Sequence, residues 1–125
     1  MASILIIDND PQIIGLYGEF LSATGHEVVS ADNGLQGLKL FNSRAFDLVI
    51  TEISMPGVDG FEVILNLKMK LLCPKIITTG VDETLLKMAK DFGADRTLFK
   101  PFSRDELLAC LNAKKVHRMP EPNTA

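Results

Sequence analysis

The chain has no tryptophan, one tyrosine and two cysteines in 125 residues. Cys73 and Cys110 lie far apart, with no CxxC and no Cys/His spacing, which excludes a disulfide scaffold and a structural zinc site and predicts two reduced thiols near the core. Long apolar runs are missing too. The opening MASILIIDND has no basic segment ahead of its short apolar stretch, so no signal or membrane helix is expected, and the reading is a cytoplasmic protein that does not touch the membrane. Positive charge is also not in excess. A net charge of −3 and a pI near 5.3 argue against a general nucleic-acid surface. No internal repeat or low-complexity tract occurs.

What is present is ordinary globular material, 46% hydrophobic and 23% charged. This length fits one domain that can bury enough surface to fold without cross-links. Ser3 to Ile7 is a continuous β-branched run, as expected of a strand buried on both faces. Asp10-Pro11 opens a helix, with Pro11 at its first position. Ile13, Ile14, Tyr17, Phe20 and Leu21 line its inner face, and Gly25 ends it.

Glu27 to Ala31 forms a second strand. Asn33 with Gln36 resembles a capping box for a helix through Arg44, with Leu35, Leu38 and Phe41 turned inward. Asp47 to Thr51 is the third strand and leads into Glu52. The turn-rich loop Ser54-Met55-Pro56-Gly57-Val58-Asp59-Gly60 follows. Phe61 to Leu72 is helical, with Val63, Ile64, Leu67 and Leu71 on one face. Pro74 breaks it.

Lys75 to Thr79 is the fourth strand, Glu83 to Phe92 the fourth helix, and Thr97 to Phe99 a short fifth strand. Ser103 with Glu106 caps a last helix running to about His117. Residues 1–118 therefore read as one domain, and 119–125, with Pro120 and Pro122, as a tail.

Five strands alternating with five helices imply an α/β domain whose parallel sheet is covered on both faces. Ligands of such sheets gather beyond the carboxyl ends of the strands. Those ends carry Asp8-Asn9-Asp10, Glu52, Thr79-Gly80 and Lys100. Carboxylates, a hydroxyl and a lysine thus converge from four distant places in the sequence.

These segments, with Ile4 to Pro11, Asp47 to Gly60, Pro74 to Gly80 and Gly93-Ala94-Asp95 through Lys100-Pro101-Phe102, resemble the response-regulator receiver domain of two-component signalling. The resemblance spans roughly residues 3–116. It implies the flavodoxin-like strand order 2-1-3-4-5. It also implies transfer of a phosphoryl group from a sensor histidine kinase to an acid at the end of the third strand, here Glu52. Mg²⁺ would be held by Asp8, Asn9, Glu52 and the backbone carbonyl of Ser54. Thr79 matches the hydroxyl that bonds the phosphoryl group, Lys100 the lysine that pairs with it, and Thr97 the aromatic switch.

Three positions depart from that pattern. Glu52 keeps the charge but carries its carboxylate out by roughly an ångström, and a misplacement of about 1 Å can slow a positioning-dependent reaction on the order of 10²-fold. The longer arm either reaches Thr79 and Lys100 as a stand-in for part of a phosphoryl group, with Gly80 leaving room, or simply pairs with Lys100 as a structural ion pair. Asn9 replaces a charged ligand with a neutral one, so Mg²⁺ binding is expected to be weak, about millimolar at best. Asp10 either compensates or caps its helix. Thr97 has no ring to swing, and as a β-branched residue it suits a strand.

His26 and His117 read as solvated side chains outside the pocket. Lys114, Lys115 and Arg118 complement the last helix end, and Gly57 and Gly60 serve the loop beside the pocket. Two readings of function follow: an interaction module fixed in one signalling state without phosphorylation, and a working phosphoacceptor of reduced rate. A flavin-type ligand binder is disfavoured, because no phosphate-cradling loop follows the first strand. The resemblance places the partner, a histidine kinase or a downstream protein, on the face of the fourth helix, fifth strand and fifth helix. A homodimer and a larger parent protein are both left open.

Overall fold

The computed structural model describes residues 1–112. Five strands, β1 (Ser3–Ile7), β2 (Glu27–Ala31), β3 (Leu48–Glu52), β4 (Lys75–Gly80) and β5 (Arg96–Phe99), alternate with α1 (Pro11–Ala23), α2 (Gly34–Ser43), α3 (Gly60–Lys68), α4 (Glu83–Phe92) and α5 (Arg104–Asn112). All pairings are parallel and the strand order is β2-β1-β3-β4-β5, as the resemblance implies. The short runs become strands because both faces are covered. Leu5, Ile7, Val49 and Ile76 pack under α2, α3 and α4. Ile4, Ile6, Ile50 and Ile77 pack under α1 and α5. Each such side chain contributes about 1.5–3 kcal/mol of burial.

The helix starts follow the sequence signals. Asp10 caps α1 by accepting from Gln12 N, and Pro11 occupies the first turn. Asn33 accepts from Gln36 N at the start of α2. Ser103 and Glu106 complete a reciprocal capping box on α5. The expected course of α5 to His117, the cations Lys114, Lys115 and Arg118, and the tail from residue 119 lie outside the described residues.

Two packing expectations need correction. Helix α3 ends at Lys68, not Leu72, and Leu71 is fully exposed instead of inward. Met69 N bonds back to Asn66 O and Lys70 N to Leu67 O, tightening the last turn. Pro74 then restricts Cys73 to extended backbone, so the chain must leave the helix early to enter β4. Leu35 is also exposed. Helix α2 buries Gly34 and Gly37 instead, because it approaches so closely that a Cβ at 34 would sit 2.2 Å from Val58 O and one at 37 would sit 2.4 Å from Ile7 Cδ1.

Candidate functional site

The carboxyl ends of β1, β3 and β5 bring Asp8, Glu52 and Lys100 together. Asp8 is 3% exposed and Glu52 7%. The ammonium of Lys100 lies 2.8 Å from Asp8 Oδ2 and also forms an ion pair with Glu52 Oε2. The second oxygen of each carboxylate is engaged as well. Asp8 Oδ1 accepts from Asp10 N at 2.9 Å, and Glu52 Oε1 from Ser54 N at 3.4 Å. Two buried acids thus share one cation, and main-chain N–H groups satisfy their remaining oxygens.

The electrostatics follow from that geometry. Burial pulls the Lys100 pKa down and is the largest single influence. The hydrogen bonds and charges of Asp8 and Glu52 together outweigh it and leave the ammonium above its ordinary 10.5. Tyr17, read from the sequence only as part of the inner face of α1, stands close enough to feel the same three charges. Its phenol is raised above 10.0, chiefly by burial, with Lys100 opposing and Asp8 and Glu52 adding. Nothing in the sequence marked it, because its proximity arises from the packing of α1 over the strand ends.

The other expected site residues divide. Thr79 is buried and stands beside Glu52 in the β3–β4 register, but no hydrogen bond joins its hydroxyl to Glu52. The missing Cβ of Gly80 matters for Ile53 more than for Glu52: it would lie 2.8 Å from Ile53 Cγ2 but at an ordinary 3.5 Å from Glu52 Oε1. Asn9 and Ser54 are exposed at the rim. Asp10 serves as the α1 cap, so of its two readings the capping one is seen. Thr97 is half-buried on β5 and lines a groove against Leu86, Lys87 and Lys90 of α4.

The glycines of the following loop have distinct reasons. Gly57 holds a positive φ of 75°. A Cβ on Gly60 would sit 2.5 Å from Glu52 O, so its absence lets the start of α3 close over the end of β3. His26 departs from the solvated expectation: it is half-buried, and its Nδ1 accepts from Ala2 N at 3.1 Å. Cys73 and Cys110 are both half-buried, outside the pocket, and not joined in a disulfide.

The donor set offers Mg²⁺ only two carboxylates, both already engaged, and so fits the ion poorly in this arrangement. All four oxygens of Asp8 and Glu52 already face an ammonium or an N–H, and Asn9 brings no charge. Among the described residues no cluster of three His, Cys, Asp or Glu side chains is placed to hold a metal. In the same span no helix is long and apolar enough to cross a membrane.

Comparison with known proteins agrees with this architecture. The model of the response regulator receiver domain matches residues 4–112. Protein PetR of Rhodobacter capsulatus is 34% identical over 98% of this chain and 52% of its own length. The alkaline phosphatase synthesis transcriptional regulatory protein PhoP of Bacillus subtilis is 33% identical over 88% of this chain and 47% of its own. This chain therefore spans about half the length of such curated relatives. Among solved structures, a response regulator receiver domain protein of Clostridium thermocellum superposes with a TM-score of 0.83 at 28% identity, covering 90% of this chain and 92% of that one. The chemotaxis protein CheY4 of Vibrio cholerae gives 0.80 at 28% identity, covering 89% and 96%. With the motifs, the strand order and the buried acid–lysine site all in place, the chain belongs to the response regulator receiver domain family.

Proposed function

We propose that this receiver is a protein-interaction module whose signalling state is set without phosphorylation, with Glu52 standing in for part of a phosphoryl group. The observation that carries the reading is the Glu52–Lys100 ion pair: the side chain at the acceptor position already engages the lysine that a phosphoryl group would otherwise attract. Asn9 weakens the metal site, so Mg²⁺ binds only weakly, and Thr97 removes the ring through which Thr79 would be coupled to the surface. The partner is a sensor histidine kinase or a downstream signalling protein in the cytoplasm, met on the α4–β5–α5 face.

The test is an NMR titration with beryllofluoride and Mg²⁺, applied to the parent, to Glu52→Asp and to Glu52→Asp combined with Asn9→Asp. The parent amide spectrum is expected to stay unchanged while the double variant shifts across β4, α4 and β5. Equal shifts in the parent and the double variant would instead favour a working phosphoacceptor.

A further inference from the structure

A second recess lies outside the carboxylate pocket, between α1 and the start of α5. It has a volume of about 310 Å³ and is lined by Leu16, Tyr17, Phe20, Phe102, Arg104 and Leu107. Leu107, 1% exposed, belongs to the core beneath. The rings of Tyr17 and Phe102 stack with centroids 4.7 Å apart and planes 22° from parallel. The Arg104 guanidinium carbon lies 4.3 Å from the centroid of Phe20, which fixes the cation at the rim.

Arg104 has no salt bridge among the described residues. The acids of the two helices do not pair with it: Glu19 and Asp105 are exposed, and Glu106 accepts from Ser103 N. A mostly apolar recess with one convergent charged group is the usual composition of a small-molecule site, and its volume sits at the small end of the range of about 300–1,000 Å³. The three rings favour a flat apolar body. The guanidinium favours a carboxylate, whose two oxygens match its parallel N–H donors.

We propose that this recess binds a small amphipathic anion, an aromatic ring system bearing one carboxylate, with the ring against Tyr17, Phe20 and Phe102 and the carboxylate on Arg104. Phe102 follows Lys100 by two residues, and Tyr17 already senses the charges of the Asp8–Glu52–Lys100 cluster. Occupancy would therefore be felt at the site described above.

The test is an amide NMR titration of the whole chain with 1-naphthaleneacetate and, separately, with its neutral amide. Shifts are expected at Tyr17, Phe102, Arg104 and Leu107, with the carboxylate binding about tenfold tighter, as one charge-assisted hydrogen bond supplies. Arg104→Gln should bring the carboxylate to the level of the amide, and Phe102→Leu should weaken both. Equal binding of the two probes to the parent would overturn the proposal, and so would an Arg104→Gln variant that keeps the preference. Shifts centred instead on a separate open cleft, lined by Phe41, Phe46, Leu72 and Pro74, would also overturn it. An absence of shifts at millimolar probe would leave the recess to a protein partner and refute the small-ligand assignment.

Discussion

Lys100 and Glu52, from the ends of β5 and β3, form an ion pair whose ammonium is simultaneously bonded to Asp8 of β1. The strand between them, β4, supplies Gly80, where a Cβ would press on Ile53 Cγ2 at 2.8 Å while standing at an ordinary 3.5 Å from Glu52 Oε1. One cation thus ties together three strand ends and offsets two buried negative charges.

Replacing Lys100 should therefore be costly. Lys100→Met leaves both acids without their cation, and loss of one partner of a buried pair costs about 3–5 kcal/mol. The folded-state pKa of Lys100 is raised above the unfolded value near 10.5, so its contribution is full below that pH and fades as pH climbs through the folded value. Urea denaturation should show a constant gap between parent and variant from neutral pH to about pH 10, narrowing above it. A gap that already narrows between pH 7 and pH 9 would contradict the pairing.

The two glycines that frame Glu52 should differ in tolerance. A Cβ at 60 meets backbone, 2.5 Å from Glu52 O and 2.6 Å from Ile53 Cα, whereas one at 80 meets the side chain of Ile53 at 2.8 Å. Gly60→Ala should cost about 3 kcal/mol and Gly80→Ala about 1 kcal/mol, the difference between moving main chain and moving a methyl group. Thermal melts of the two variants would rank them, and the reverse order would be inconsistent with the close approach of α3 to β3.

Much of this was legible in the sequence, for physical reasons that vary by residue. The strands were readable because Ile4 to Ile7 and Leu48 to Ile50 are apolar on both faces, which a parallel sheet covered by helices requires. Asp8, Glu52 and Lys100 could be placed because the topology fixes strand ends as the meeting point. The end of α3 was not readable, since Leu71 and Leu72 continue the helical spacing and only the tightened turn at Met69 and the approach to Pro74 show that they leave it. Leu35 misled in the same way, because the buried side of α2 is marked by the smallness of Gly34 and Gly37, not by an apolar side chain. Tyr17 and the His26 contact with Ala2 depend on how α1 and the turn before β2 settle on the sheet, which local pattern does not encode.

Lys75 provides a further check on long-range packing. Its ammonium is donated to the carbonyls of Cys110 and of Leu111, the latter at 3.1 Å, near the end of the described part of α5. The two charge-assisted hydrogen bonds tie the start of β4 to the main chain of α5. Lys75→Met should lower stability by about 1 kcal/mol, through loss of these hydrogen bonds. It should also speed amide hydrogen exchange around Cys110 and Leu111 of α5 more than in α1. Uniform acceleration across both helices would contradict a local anchoring role.

The Glu52–Lys100 pair, as proposed above, holds the acceptor position in an unreactive state. The most direct measurement is intact-mass spectrometry after incubation with acetyl phosphate and Mg²⁺, comparing the parent with Glu52→Asp plus Asn9→Asp. The expected result is a phosphorylated species in the double variant and none in the parent over the same time. Phosphorylation of the parent at a rate close to that of the double variant would contradict the claim.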